Sequence, residues 1–152
     1  MSEALNKYKT FCENVTREGI EQFDQMFDAN ALFRDPFNHV RGVNAIKDIF
    51  THMMDNFPYT KFTIIDHAQS DQYHYLRWDF QPDTNKSLVI DGMTQIHLGD
   101  TQLIDEHIDY WDSASRLFAE VKPTKAPTRW LLNRLCADKS AQIQSEQLSN
   151  NV

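Results

Sequence analysis

The sequence predicts an α+β fold in which one curved antiparallel sheet wraps around helices from the N-terminal part of the chain. Residues 3–28 carry apolar side chains at helical spacing. Four runs between residues 60 and 111 have the composition of strands, and turn-forming residues separate them. Helices first and consecutive antiparallel strands after them are typical of an α+β domain. With 152 residues, 41% of them hydrophobic, the chain is long enough for one domain with a sizeable core.

Two apolar stripes predict the helices at the start of the chain. The stripes consist of Leu5, Tyr8, Phe11, Cys12 and Val15, and of Ile20, Phe23, Met26 and Phe27. Gly19 lies between them and marks a predicted helix break. A short strand follows over residues 31–37, where Pro36 ends or bends it because proline cannot donate to a ladder. Residues 41–58 predict another helix, which Pro58 closes.

The rest of the chain predicts a sheet and two further helices. Strands are expected at residues 60–70, 72–80, 87–98 and 101–111, and a short helix at residues 113–120. Residues 126–137 predict an amphipathic helix with Trp130, Leu131 and Leu135 on its buried side. We therefore expect one domain over residues 1–122, a helix within 123–137 that docks on it, and a flexible tail over 138–152.

Composition and charge exclude several classes of function. The net charge of −7 argues against binding to nucleic acid, which selects surfaces rich in lysine and arginine. No apolar run approaches the roughly 20 residues of a membrane helix, and the polar start resembles no signal peptide. Cys12 and Cys136 lack metal-ligand spacing and predict reduced thiols. We expect a cytoplasmic protein that uses no metal and no cofactor.

The last predicted strand carries an unusual column of side chains. Alternation places His107, Asp109 and Trp111 on one face, and the apolar residues Ile104 and Ile108 on the other, together with Tyr110. A strand beside water would separate its apolar set from its charges. Both faces of this strand are therefore expected to be covered.

Four segments carry a resemblance to a known family. They are FCENVTREGIEQFDQMF, ALFRDPF, RGVNAIKDIF and GDTQLIDEHIDYWD. In order and pattern, over roughly residues 5–118, the chain resembles the NTF2-like superfamily, in particular its SnoaL-like and ketosteroid-isomerase-like branches. The resemblance implies a cone-shaped α+β barrel whose mouth holds a small, mostly apolar molecule, in line with the usual character of ligand pockets.

The resemblance also implies roles for individual residues. Asp35, in the RDP motif, stands where ketosteroid isomerases have their catalytic base. Phe11 and Thr94 stand where those enzymes have the two groups that donate hydrogen bonds to the oxyanion. Because losing one such donor typically costs about 10²–10³ in rate, steroid isomerisation is disfavoured.

The resemblance turns the column on the last strand toward the cone. His107, Asp109 and Asp35 then form the predicted catalytic set, with Asp35 as proton acceptor and the other two as proton donor or orienter. We expect burial to raise the pKa of Asp35 and a neighbouring carboxylate to raise that of His107. The predicted ligand-binding residues are Phe11, Trp78, Thr94 and Trp111. As alternatives, Asp35 could hydrogen-bond the backbone of its own turn, and the His107–Asp109 pair could be a packing network.

The sequence is compatible with two functions. One is a cofactor-free acid–base enzyme of the isomerase, cyclase, dehydratase or hydrolase type, acting on a small apolar substrate. The other is a non-catalytic module that binds a ligand or a partner protein, since one fold can host both. In either case the apolar outward residues, with Val89 and Met93 on the neighbouring strand, predict a homodimer through the sheet.

Overall fold

The computed structural model describes residues 2–82, 89–114 and 125–135, and it confirms the α+β class. The chain divides into two compact units, residues 1–112 and 113–152. The helices are α1 (Glu3–Glu13), α2 (Arg17–Glu21), α3 (Val43–Asn56) and α4 (Lys125–Leu135), with a 3₁₀ helix at Gln22–Gln25. The strands are β1 (Phe27–Arg34), β2 (His39–Arg41), β3 (Lys61–Gln69), β4 (Tyr73–Gln81), β5 (Ile90–Leu98) and β6 (Ile104–Trp111).

Hydroxyl caps set where the first two helices begin. The Ser2 side chain accepts a hydrogen bond from the Leu5 amide, and the Thr16 side chain accepts one from the Gly19 amide at 3.0 Å. Each cap satisfies one of the amides that a helix start leaves without a partner. The break between the two stripes therefore lies at residues 14–16, and Gly19, which was predicted to mark it, belongs to α2.

The first strand starts earlier than predicted. Phe27, the last residue of the second stripe, pairs with Ile104 in a parallel arrangement, and the Ile104 amide donates to the Met26 carbonyl at 2.8 Å. This pairing with a distant segment outweighs the helical spacing of residues 26–28. The strand β2 was not predicted, and Gly42, at a φ of 104° that favours glycine, leads from it into α3.

The sheet has the order β2-β1-β6-β5-β4-β3 within the described residues, with β2 and β3 at its edges. Strands β3 to β6 form the predicted run of consecutive antiparallel pairs, whereas β1 pairs parallel with β6. Helix α1 packs on β3 and α3 packs on β1. Between helices and sheet lies an aromatic core that includes Phe11, Phe23, Phe27, Phe33 and Phe50.

A bulge in β6 changes the face of one predicted residue. Leu98 pairs with Ile104 and His97 pairs with Glu106, so Asp105 is an extra residue in β6. One extra residue reverses the alternation of side chains. Ile104, predicted to face outward, is therefore a fully buried core residue.

The second unit contains the predicted C-terminal helix as α4. Trp130 and Leu131 are 60% and 51% exposed, which does not agree with their predicted burial, and Arg134 lies over the Trp130 ring at 5.1 Å. The docking of this helix on the domain stays a prediction. The tail and most of the helix predicted at 113–120 lie outside the described residues. Among the helices that the structure describes, none has the length and apolar character needed to cross a membrane.

Candidate functional site

The column on β6 faces the core as predicted. His107 is fully buried, Trp111 packs against the core cluster, and Asp109 lies between them with 17% of its side chain exposed. Tyr110, on the opposite face, is 45% exposed. Of the two ionisable side chains in this column, His107 and Asp109, only that of Asp109 is partly exposed to solvent.

A chain of hydrogen bonds across three strands holds the Asp109 carboxylate. The Trp78 indole N–H donates to Thr94 Oγ1 at 2.8 Å, and Thr94 Oγ1 lies 2.5 Å from Asp109 Oδ1. An indole nitrogen is a donor only, so Thr94 accepts from Trp78 and turns its own proton toward Asp109. Trp78, on β4, thus sets the direction of both hydrogen bonds. Together they turn a donor toward Asp109 and favour a negative charge on its carboxylate.

Burial nevertheless raises the pKa of Asp109 to about 7. Removal of the carboxylate from water disfavours its charged form and is the largest cause. The Thr94 hydrogen bond opposes this shift, and the negative charge of Asp35 adds to it. Asp109 therefore exchanges its proton near neutral pH, where acid–base groups are most effective.

His107 lies in an aromatic cage and is neutral. Its ring stacks on Phe33 with centroids 4.9 Å apart, and the edge of Tyr8 meets it at 5.2 Å. Burial lowers the pKa of His107 to about 3. The expectation that a neighbouring carboxylate raises this pKa is wrong, because the loss of water around a buried imidazolium is the largest cause of the shift.

Tyr8 is a site residue for which the sequence predicted only a place in an apolar stripe. Its hydroxyl lies 2.6 Å from His107 Nε2, and both groups are buried. The other ring nitrogen, Nδ1, lies 3.9 Å from Asp109 Oδ1 and has no hydrogen-bond partner among the described residues. Tyr8 precedes Phe11 by one helical turn on the inner face of α1, and this shared face was the signal available in the sequence.

Asp35 hydrogen-bonds the backbone of its own turn, which was the structural alternative to a catalytic role. Its Oδ1 accepts hydrogen bonds from the Phe37 amide at 2.7 Å and the Asn38 amide at 2.6 Å. The Asn38 side chain donates to its Oδ2 at 2.9 Å. The carboxylate thus holds the turn between β1 and β2, as aspartate commonly does in such turns. Its charge acts on Asp109, but its oxygens are already engaged.

The predicted ligand-binding residues fall into three environments. Thr94 and Trp78 are buried beside Asp109, while Trp111 is partly exposed and meets the Phe37 ring edge-on at 5.4 Å. Phe11 is buried in the aromatic core. Phe11 also contributes to the lining of a cleft of about 430 Å³ that residues of α1 and α2 form, and Asp109 is not among its lining residues. The binding role of these four residues stays a prediction.

The described residues contain no group of three or more histidine, cysteine, aspartate or glutamate side chains arranged to hold a metal ion. His97, on β5, is engaged by Asp105, with its Nδ1 atom 2.6 Å from Asp105 Oδ1.

Solved structures share this fold, among them the following three. A proposed isomerase of the SnoaL-like family from Agrobacterium tumefaciens is 16% identical, with 72% of this chain and 94% of that chain covered and a TM-score of 0.63. A proposed SnoaL-like polyketide cyclase from Jannaschia sp. is 9% identical, with 79% and 92% covered and a TM-score of 0.63. A protein with a ketosteroid isomerase-like fold from Catenulispora acidiphila, in complex with trimethylamine, is 11% identical, with 82% and 97% covered and a TM-score of 0.65.

These identities are low, so the three structures show the fold alone. No curated protein sequence matches the chain significantly. The family model of the SnoaL-like domain matches residues 8–107, which is well over half of the chain. The chain therefore belongs to the SnoaL-like domain family.

Proposed function

We propose that this protein is a cofactor-free acid–base enzyme that moves a proton next to a carbonyl group of a small apolar substrate. The observation that carries the proposal is Asp109, a partly exposed carboxyl group with a pKa of about 7 beside buried aromatic rings. Ligand pockets generally combine apolar walls with few polar groups, and residues of strongly shifted pKa cluster at functional sites. In this proposal the enzyme is cytoplasmic and works as a homodimer.

The reaction needs only the groups of the protein and the substrate. The Asp109 carboxylate takes a proton from the carbon next to the carbonyl, and the electron pair of the broken C–H bond moves to the carbonyl oxygen. When a double bond of the substrate extends the enolate to a different carbon, that carbon takes the proton back from Asp109. Otherwise the enolate carbon attacks a second carbonyl of the same molecule, and the oxygen of that carbonyl takes the proton from Asp109. Isomerases and cyclases share this first step, so it is the part of the reaction that the site supports best.

The substrate we infer is a 1,3-dicarbonyl compound. An enolate usually requires donors placed at its oxygen. Among the described residues, Thr94 and Trp78 already donate within the Asp109 network, and Phe11 has no proton to donate. A 1,3-dicarbonyl compound spreads the negative charge over two of its own oxygens, so it depends least on donors from the protein.

The other predicted catalytic residues support Asp109 in this proposal. His107 contacts Asp109 rather than the substrate, because its Nδ1 atom is buried. Asp35 contributes its negative charge, which raises the pKa of Asp109 and makes it a stronger base. The resemblance assigned the role of proton acceptor to Asp35, whereas this proposal assigns it to Asp109.

Hydrogen–deuterium exchange tests the proposal. Ethyl acetoacetate in D₂O loses the NMR signal of its acidic CH₂ protons, and we expect the protein to accelerate this loss above the rate without protein. Asp109→Asn keeps the shape of the side chain but removes the base, so it should lower the protein-dependent rate about 10²-fold or more. The matched control is Asp100→Asn, at an exposed turn between β5 and β6, which should leave the rate unchanged.

Full exchange activity in a folded Asp109→Asn variant would refute the assignment of Asp109. An absence of protein-dependent exchange would refute proton transfer on this class of substrate.

The non-catalytic alternative is favoured by one observation, the engagement of the Asp35 carboxylate by its own turn. A binding module would need the aromatic walls but not the proton of Asp109. In that case ethyl acetoacetate would raise the melting temperature of the wild type and of Asp109→Asn equally, without any acceleration of exchange by the protein.

A further inference from the structure

We propose that Tyr8 is a positioning residue, which donates its hydroxyl proton to His107 Nε2 and so keeps the imidazole proton on Nδ1, the nitrogen that faces Asp109. This inference deepens the proposed function, because it concerns how the proton affinity of the same site is set. It does not require a substrate, so it can fail or succeed independently of the exchange reaction.

The geometry leaves the His107 ring little freedom. Tyr8 Oη lies 2.6 Å from Nε2, and the ring is stacked on Phe33 while Phe27 lies 6.0 Å away between centroids. Rotation of the ring about its bond to the strand would place a carbon atom against the Tyr8 hydroxyl. The hydrogen bond therefore selects one ring orientation.

Proton counting then gives the tautomer. A neutral histidine carries one N–H, so a nitrogen that accepts a hydrogen bond forces the proton onto the other nitrogen. Burial raises the pKa of the Tyr8 phenol well above its ordinary value, so its proton stays available for donation. With Nε2 as acceptor, Nδ1 carries the proton and faces Asp109 Oδ1 at 3.9 Å.

This tautomer favours the ionised form of Asp109. The ionised carboxylate faces an N–H dipole, whereas the protonated carboxyl group finds no lone pair on Nδ1 to accept its proton. Other titratable groups around the pair are Cys12 on α1, whose thiol interacts with Tyr8 and is kept protonated by a pKa raised to about 12, and Asp35, whose charge acts the opposite way on Asp109. Tyr8, acting through His107, thus opposes the rise in the pKa of Asp109 that burial causes. Thr94 opposes the same rise through its own hydrogen bond to Asp109.

Loss of the Tyr8 hydroxyl should therefore raise the pKa of Asp109. In Tyr8→Phe no hydroxyl group donates to Nε2. This nitrogen can then carry the imidazole proton of His107 when Asp109 is protonated. The protonated Asp109 then gains an acceptor at Nδ1. We expect the pKa of Asp109 to rise by about one unit.

NMR on the whole protein, without substrate, measures both steps. Long-range ¹H–¹⁵N correlation of ¹⁵N-histidine distinguishes the two tautomers, and ¹³C titration of labelled aspartate carboxyl groups gives the pKa of Asp109. In the wild type we expect His107 to be neutral with its proton on Nδ1 throughout the titration of Asp109. In Tyr8→Phe we expect a mixed tautomer and the raised pKa. Tyr73→Phe, on the β4 strand away from His107, is the matched control and should change neither.

A wild-type His107 that carries its proton on Nε2 overturns the proposal, and this measurement does not depend on any variant folding. A folded Tyr8→Phe in which the pKa of Asp109 equals that of the wild type overturns it as well. A purely structural tyrosine would lower stability when replaced but would leave the pKa of Asp109 and the tautomer unchanged.

Discussion

Thr94 Oγ1 lies 2.5 Å from Asp109 Oδ1, and the two residues are direct register partners in β5 and β6. Side chains at such partner positions project from the same face of the sheet, close enough for contact. On the next strand, β4, Trp78 is the register partner of Gly92, and its indole N–H donates a hydrogen bond to Thr94. The carboxyl group at the centre of the candidate site is therefore held by the register of three neighbouring strands and not by a loop.

Replacement of Thr94 should change the proton affinity of Asp109 in a way that depends on the hydroxyl. Thr94→Val keeps the shape of the side chain but removes the hydrogen bond that favours the charged form, so the pKa of Asp109 should rise above about 7. It also leaves the buried Trp78 N–H without its acceptor, at a cost of about 1–3 kcal/mol in stability. Thr94→Ser, which keeps the hydroxyl, should retain the pKa. Carboxyl ¹³C titration checks this, and equal pKa values in the valine and serine variants would contradict it.

Gly92 should not accept a larger residue without displacement of the Trp78 side chain. The six-membered part of the Trp78 indole lies against the Gly92 backbone, where a Cβ atom would overlap it. Gly92→Ala should therefore displace the indole from Thr94 and lower the free energy of unfolding by about 1–3 kcal/mol. In a Trp78→Phe background, whose smaller ring leaves space, the same alanine should cost much less. Denaturant unfolding of the four proteins measures the coupling, and additive effects of the two substitutions would contradict the prediction.

The parts of the fold that could be predicted are those that depend on local pattern. Alternation along residues 103–111 placed His107 and Asp109 on the inner face, and the structure agrees from Glu106 onward. The prediction failed at Ile104, because a single extra residue in β6 reverses the alternation and no local signal announces a bulge. The start of β1 was missed for a similar reason, since its pairing partner is about 77 residues away along the chain.

The proximity of three candidate residues could be predicted, but their electrostatics and the part of Tyr8 could not. The resemblance brought Asp35, His107 and Asp109 to one region, and the structure relates Asp109 to both of the others. Which group titrates near neutral pH depends on depth of burial and on hydrogen-bond direction, and neither can be read from spacing. Asp35 is held in a turn, His107 lies too deep to be protonated, and Asp109 has the shifted pKa.

The buried pair predicts opposite pH dependences of stability for two variants. The pKa of Asp109 is about 7 in the folded protein and 3.8 in the unfolded chain. The folded state therefore holds an extra proton between about pH 4 and 7, and stability falls as the pH rises through that range. The pKa of His107 is about 3 in the folded protein and 6.5 in the unfolded chain, so stability falls as the pH drops below about 6.5. Between about pH 4 and 6.5 the two contributions cancel in the wild type.

Each variant of the pair should expose one contribution. Relative to the wild type, Asp109→Asn should lose stability as the pH falls from 6.5 to 4, with a slope that approaches about 1.4 kcal/mol per pH unit. His107→Gln should lose stability relative to the wild type as the pH rises over the same range. Denaturant unfolding at several pH values measures both, and variant curves that run parallel to the wild type would show that the pair does not titrate as described.

A homodimer through the outer face of the sheet remains a prediction. Met93 and Tyr110 are register partners on that face and are 39% and 45% exposed. Contiguous exposed apolar side chains of this kind commonly mark an interface. We expect sedimentation velocity at micromolar concentration to give the mass of a dimer, and Met93→Glu to give that of a monomer. Tyr59→Glu, at an exposed turn after α3, is the control and should leave the dimer intact. A wild-type protein of monomer mass would contradict the prediction.

The two carboxylates of the site make separable contributions to proton transfer. Burial is the main cause of the raised pKa of Asp109, and the negative charge of Asp35 adds to it. Asp35→Asn keeps an oxygen that can accept from the Phe37 and Asn38 amides, so the turn should persist while the charge is lost. The pKa of Asp109 should then fall, so the exchange rate should begin to rise at a lower pH. The maximal rate should decrease only severalfold, because Asp109 becomes a weaker base.

Asp109→Asn should instead lower the exchange rate by about 10² or more at every pH. Exchange of ethyl acetoacetate protons measured from pH 5 to 9 distinguishes these outcomes. If Asp35→Asn abolishes exchange while Asp109→Asn retains it, Asp35 is the base, as the family resemblance implied, and Asp109 belongs to the network that supports it.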